Sequence, residues 1–104
     1  MKILQKFEYT WPEGVTPILF QNWAATLPQA EQDEFALASD RQTEIRQQWV
    51  DDGLIEKVPG TGYIWKDQAT FDVNKPVVDP TWQKYWNRWI EETGVTFSYS
   101  ISEN

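Results

Sequence analysis

Residues 79–94 read DPTWQKYWNRWIEETG, and the fold question turns on them. Trp82, Tyr85, Trp86, Trp89 and Ile90 recur at i, i+3, i+4, i+7 and i+8, the spacing of one face of a helix. Gln83, Lys84, Asn87, Arg88, Glu91 and Glu92 fill the opposite face. Both ends are marked. Asp79 is a good N-cap, Pro80 suits the first helical position, and Gly94 can adopt the left-handed conformation that closes a helix. An inner face of four large aromatics needs a broad apolar platform, most naturally a sheet.

Working outward, Val95 to Ser102 alternates cleanly: Val95, Phe97, Tyr99 and Ile101 face one way, Thr96, Ser98, Ser100 and Ser102 the other. The N-terminal stretch 1–11 alternates too. Ile3, Gln5, Phe7, Tyr9 and Trp11 share one face; Lys2, Leu4, Lys6, Glu8 and Thr10 share the second. Each is therefore expected to be a strand with one core face and one polar face. Between them, Leu54 to Asp67 predicts a hairpin, because Pro59, Gly60, Thr61 and Gly62 supply a preset φ and two residues free to take positive φ.

Thr16 as N-cap and Pro17 as first residue predict a short helix over 17–27. Pro28 either kinks that helix or begins the next. Residues 29–53 then carry Phe35, Ala38, Ile45 and Trp49 on one stripe, with Gln42 interrupting in register and Gly53 as terminator. The acidic surface of this helix (Glu31, Asp33, Glu34, Asp40, Glu44) reads as a solvated face. Gln68 to Val78 reads as a polar connector, an edge segment or a mobile loop.

The chain has 104 residues, room for a core of its own, and is read as a single domain over 1–104. Seven Trp, four Tyr and five Phe make it aromatic-rich and disfavour disorder. Nine basic against sixteen acidic residues leave a net charge of −7, which disfavours nucleic acid and an anionic membrane surface as partners. With no Cys and no His, disulfides, the usual zinc sites, Ser-His-Asp triads and a histidine haem ligand are excluded. No metal and no cofactor is expected. No leader-like stretch or membrane-length apolar run is seen, so the expectation is a soluble, cytoplasmic protein.

The element order is strand, helix, strand, strand, helix, strand. This gives an α+β fold class, a split βαβ arrangement with a four-stranded antiparallel sheet and its helices on one face. By element order and length, the chain resembles the ferredoxin-like dimeric α+β barrel superfamily. The resemblance spans nearly the whole chain and rests on no signature motif. It implies a ferredoxin-like βαββαβ fold and a homodimer whose open sheets pair face to face. It further implies a cavity between them that takes a small molecule, with Lys6, Glu8, Trp65, Ser98 and Ser100 as candidate lining residues. The superfamily's cofactor-free monooxygenases use Asn, Trp and Tyr groups around an aromatic substrate, and Asn74, Trp65 and Tyr63 are residues of those types near the hairpin. No catalytic residue is assigned, and whether the protein is an enzyme stays open.

Each candidate has a plainer reading. Trp65 on a short strand is expected to pack in the core. Lys6 and Glu8, at i and i+2 on one strand face, are a surface ion pair worth under about 1 kcal/mol unless something covers them; covered, they could perturb one another and act as acid and base. Two alternatives stand beside the dimeric barrel. One is a non-enzymatic interaction protein whose sheet face is the interface. The other is a winged-helix nucleic-acid-binding protein, with Arg41 and Arg46 on a recognition helix and residues 54–65 as the wing.

Overall fold

The computed structural model describes residues 1–104. In chain order it holds β1 (Ile3–Thr10), α1 (Phe20–Ala24), α2 (Gln29–Asp51), β2 (Ile55–Val58), β3 (Gly62–Trp65), α3 (Gln68–Asn74), α4 (Pro80–Thr93) and β4 (Thr96–Glu103). The strands form one four-stranded antiparallel sheet in the order β2-β3-β1-β4. That α+β arrangement is compatible with a split βαβ topology. Register is set by Ile3 opposite Trp65, Gln5 opposite Tyr63 and Lys6 opposite Gly62, with Ile55 opposite Trp65 on the other side of β3. No helix is long and apolar enough to cross a membrane.

The α4 boundaries follow the caps. The Asp79 carboxylate accepts from the Trp82 N–H at 2.9 Å, and Gly94 closes the helix at φ 75°. Two sequence expectations need correction. The first helix does not begin at Pro17: α1 starts at Phe20 with Leu19 as an N-cap that gives no side-chain bond. The Ile18 carbonyl accepts instead from the Trp89 indole N–H at 3.0 Å. Here a tertiary bond outweighs the Thr16-Pro17 signal. The Gln68–Val78 connector is neither a loop nor an edge segment throughout, since residues 68–74 are helical. Asp67 caps them by accepting from the Thr70 N–H at 2.7 Å. Phe71 is the buried anchor.

The chain divides into two compact units, residues 1–8, 44–77 and 98–104, and residues 9–43 and 78–97. The first unit packs Ile3, Trp49, Ile55, Trp65 and Phe71 together. Trp65 is 1% exposed, with ring centroids 5.1 Å from Trp49 and 5.5 Å from Phe71. Its indole N–H donates to Gln5 Oε1 at 3.0 Å, which explains a buried glutamine on the apolar face of β1.

The second unit holds the aromatic core: Trp23, Leu27, Phe35, Tyr85, Trp89 and Val95 are buried, with Phe20, Trp82 and Trp86 packed against them. The platform beneath α4 is thus not the sheet alone. Phe20 lies between 5.1 and 5.7 Å from Phe35, Trp82, Trp86 and Trp89, while Tyr9 and Phe97 supply the strand contribution and Trp11, just past β1, adds a further ring. Gln42, the interruption in the α2 stripe, is buried and its Oε1 accepts from the Asp79 N–H at 2.8 Å.

Candidate functional site

Strand alternation sorts the sequence-predicted residues onto two faces. In the first unit, Ile3 and Gln5 of β1 and Trp65 of β3 point into the core, so Leu4, Lys6 and Glu8 stand on the second face. Directly paired residues of an antiparallel ladder share a face. Ile64 therefore stands beside Leu4, Glu56 beside Ile64, and Val58 beside Gly62 on that same side. Lys6 and Glu8 are exposed, while Leu4, Ile64 and Val58 are half-buried. An ion pair on this face, Lys2 Nζ to Glu56 Oε1 at 3.4 Å, has both side chains more than half exposed.

Two contacts fix where β4 falls. The Asn104 N–H donates to the Lys2 carbonyl at 3.1 Å, and the Tyr9 and Phe97 rings lie 5.2 Å apart. Both correspond to one antiparallel register, so no bulge intervenes. In that register Ser100 lies across from Lys6 and Ser98 across from Glu8. Both serines are exposed. Four of the five candidates, Lys6, Glu8, Ser98 and Ser100, therefore form one compact quartet.

Trp65 is not among them. Its position opposite Ile3 places it on the reverse face, in the core. Tyr63 shares the core side, half-buried against Phe7 at 5.4 Å. The Asn74 side chain donates to the Thr70 carbonyl one turn back in α3. Asn74, Trp65 and Tyr63 thus do not converge on a common opening.

The groups displaced from their ordinary ionisation lie at caps and ion pairs. Asp79 is held below the usual carboxylate range, chiefly by the Arg41 guanidinium whose Nε sits 2.6 Å from its Oδ2, and next by the Trp82 N–H. Glu34 is lowered by Lys84, then by the Tyr85 hydroxyl, which donates to the same carboxylate oxygen at 2.7 Å. Tyr85 is pushed up to about 12, first by burial and then by Glu34. The winged-helix alternative loses support here, because Arg41 is committed to Asp79 and β1 and β4 join the hairpin in a single sheet.

No group of three or more Asp or Glu side chains is placed to hold a metal ion. Sequence reading missed a shallow, open hollow of about 490 Å³ in the first unit, lined by Ile3, Asp67, Gln68, Ile101 and Glu103 among others. It forms where the chain ends meet the start of α3, and nothing local in the sequence signals it. Comparison with protein-family models, with curated proteins and with solved structures finds no match to this chain.

Proposed function

We propose that this chain is a ferredoxin-like, small-molecule-binding protein that works as a homodimer. The sheet faces carrying Lys6, Glu8, Ser98 and Ser100 meet across the dimer and enclose the ligand. The observation that carries this reading is the uncovered face itself: a polar quartet beside half-buried Leu4, Ile64 and Val58. Half-exposed aliphatics ringed by polar groups are the composition of an interface. The strand order β2-β3-β1-β4 supports the topology.

Light scattering across a wide dilution series tests the reading. A mass near twice 12.3 kDa that persists on dilution is expected. Within that dimer, Lys6→Ala and Ser98→Ala should leave the circular dichroism spectrum intact while weakening binding of a small aromatic probe such as 2-naphthol. A clean monomer at high concentration would end the cavity reading, since the quartet would then face only water.

A further inference from the structure

The two edges of the sheet are finished differently. In the order β2-β3-β1-β4, β2 and β4 lie outermost. Strand β2 is four residues long and carries Glu56 and Lys57; shortness and charge both keep an edge from pairing with another chain. Strand β4 runs for eight residues, and from Ser98 to Ser102 it holds no charge, proline or glycine. Such an edge is a template for one more strand. Its backbone phase follows from the register with β1. The Asn104 N–H donates to the Lys2 carbonyl, and hydrogen-bonding positions alternate along an antiparallel strand. Even-numbered residues of β4 therefore bond toward β1. Tyr99, Ile101 and Glu103 turn their N–H and C=O groups the other way, past the edge, where the sheet has no further strand.

These odd-numbered residues carry their side chains on the core face, where Ile101 packs against the cluster around Trp65. Directly paired residues share a face, so an added strand sets the side chains opposite Ile101 and Glu103 on that face as well. There the hollow of about 490 Å³ opens, with Ile3, Ala69 and Ile101 as its apolar lining. Its two carboxylates are not equivalent. Asp67 caps α3 through Thr70 and has the Lys66 and N-terminal cations nearby. Glu103 is exposed and enters none of the ion pairs. We infer that the β4 edge binds an extended peptide as a fifth, antiparallel strand, with a basic residue opposite Glu103 and an aliphatic one opposite Ile101. The stem of the basic side chain lies along the apolar lining and its head reaches the Glu103 carboxylate. A net charge of −7 draws a basic segment from solution. Backbone bonds at Tyr99, Ile101 and Glu103 hold the strand, and the two side chains select it. The site uses the edge of β4 and not the face bearing Ser98 and Ser100, so it is independent of the homodimer.

Fluorescence anisotropy tests this with the capped, labelled heptapeptide TRTVTVT, whose arginine and valines share one face of a strand. Saturable binding to the wild-type chain is expected at low salt. Backbone N-methylation of the peptide separates strand addition from plain charge attraction. In the added strand the arginine and valine amides point at β4, and the threonine amides point away. Methylating the arginine amide and one valine amide should weaken binding by roughly tenfold or more, while methylating two threonine amides should leave it within about twofold. Equal losses from the two methylated peptides, or no saturable binding of the parent, would overturn strand addition. Glu103→Lys tests the choice of side chain. Glu13→Lys, at another exposed position, changes the net charge by the same amount. The first should weaken TRTVTVT several-fold more than the second, and should improve binding of TETVTVT. Equal effects from the two variants would overturn the pairing with Glu103. Light scattering of the same samples reads the other occupant: a wild-type mass that falls as peptide is added would overturn the peptide reading and give the edge to a second copy.

Discussion

The two compact units of this chain differ in where they leave polar side chains open to solvent. In the unit built from residues 9–43 and 78–97, nearly every charged group close to the core has an intramolecular partner. Arg41 meets Asp79, Lys84 meets Glu34, and Arg88 meets Glu31 and Glu92. These contacts rim a core in which Trp89 is 3% exposed and the Phe20 ring touches five other aromatics. In the unit built from residues 1–8, 44–77 and 98–104, Gln5 and Trp65 pair in the core, and exposed groups such as Lys2 with Glu56 and Gln48 with Asp52 pair on the surface. Lys6, Glu8, Ser98 and Ser100 face outward. A unit whose polar groups already have partners is built for stability. One that leaves a polar quartet on an open sheet face has groups available for a ligand or a second copy.

The contrast is most sharply broken by attacking the aromatic unit. Trp89→Ala should cost about 3–5 kcal/mol, the range for deleting a buried large aromatic, and should unfold a marginal domain. Trp89→Phe keeps a ring but removes the donor to the Ile18 carbonyl, so a further part of the loss, about 1–3 kcal/mol, belongs to that orphaned acceptor. Chemical denaturation of both variants measures the two steps separately. A Trp89→Phe variant as stable as wild type would mean that the indole bond to the Ile18 carbonyl contributes little.

How much of this was readable beforehand depends on how local the cause was. The α4 helix was legible residue by residue, because periodicity, Asp79, Pro80 and Gly94 all act within the segment. Strand faces were legible for the same reason: alternation alone separates Lys6 and Glu8 from Ile3 and Gln5. The start of α1 was not, since the Ile18 carbonyl is claimed by an indole 71 residues away. Helix α3 was overlooked because its seven residues bury one anchor, Phe71; the Asp67…Thr70 spacing was its only signal. Gln42 looked like a defect in a stripe and proves to be the acceptor that fixes the entry to α4. The sequence admits Trp65 both in the core and in the candidate cavity. Only the register with Ile3 decides between them, and register is a property of the pair of strands.

A second variant sharpens the comparison from the other unit. Gly62 lies opposite Lys6 in the β1–β3 ladder. A Cβ built on it would run into the backbone carbonyl of Gln5. Gly62→Ala should therefore force the two strands apart at the level of the quartet and destabilise by about 1–3 kcal/mol, as overpacking does. The shift acts on Lys6 through the backbone, so binding of 2-naphthol should fall more than stability does. If both fall in step, the quartet does not depend on local strand spacing.

The smallest effect expected is in the acid limb of the stability curve. Asp79 and Glu34 in the aromatic unit, and Asp67 in the other, all ionise more readily folded than unfolded. A carboxylate with a depressed folded value contributes its full share above the unfolded value and loses it as pH falls through the folded one. Those unfolded values are 3.8 for the aspartates and 4.5 for Glu34, so stability should be flat from neutral down to about pH 5 and then decline. Asp79→Asn separates the causes. Asparagine still caps a helix about as well as aspartate, so the Trp82 N–H keeps its acceptor while the Arg41 pair is lost. The variant should be modestly less stable at pH 7 and should show a shallower decline below pH 4. An unchanged acid limb would mean that the Arg41–Asp79 bond, although 2.6 Å long, is matched by equivalent structure in the unfolded chain. The acid limb would then belong to the remaining carboxylates, Glu34 in the aromatic unit and Asp67 in the other.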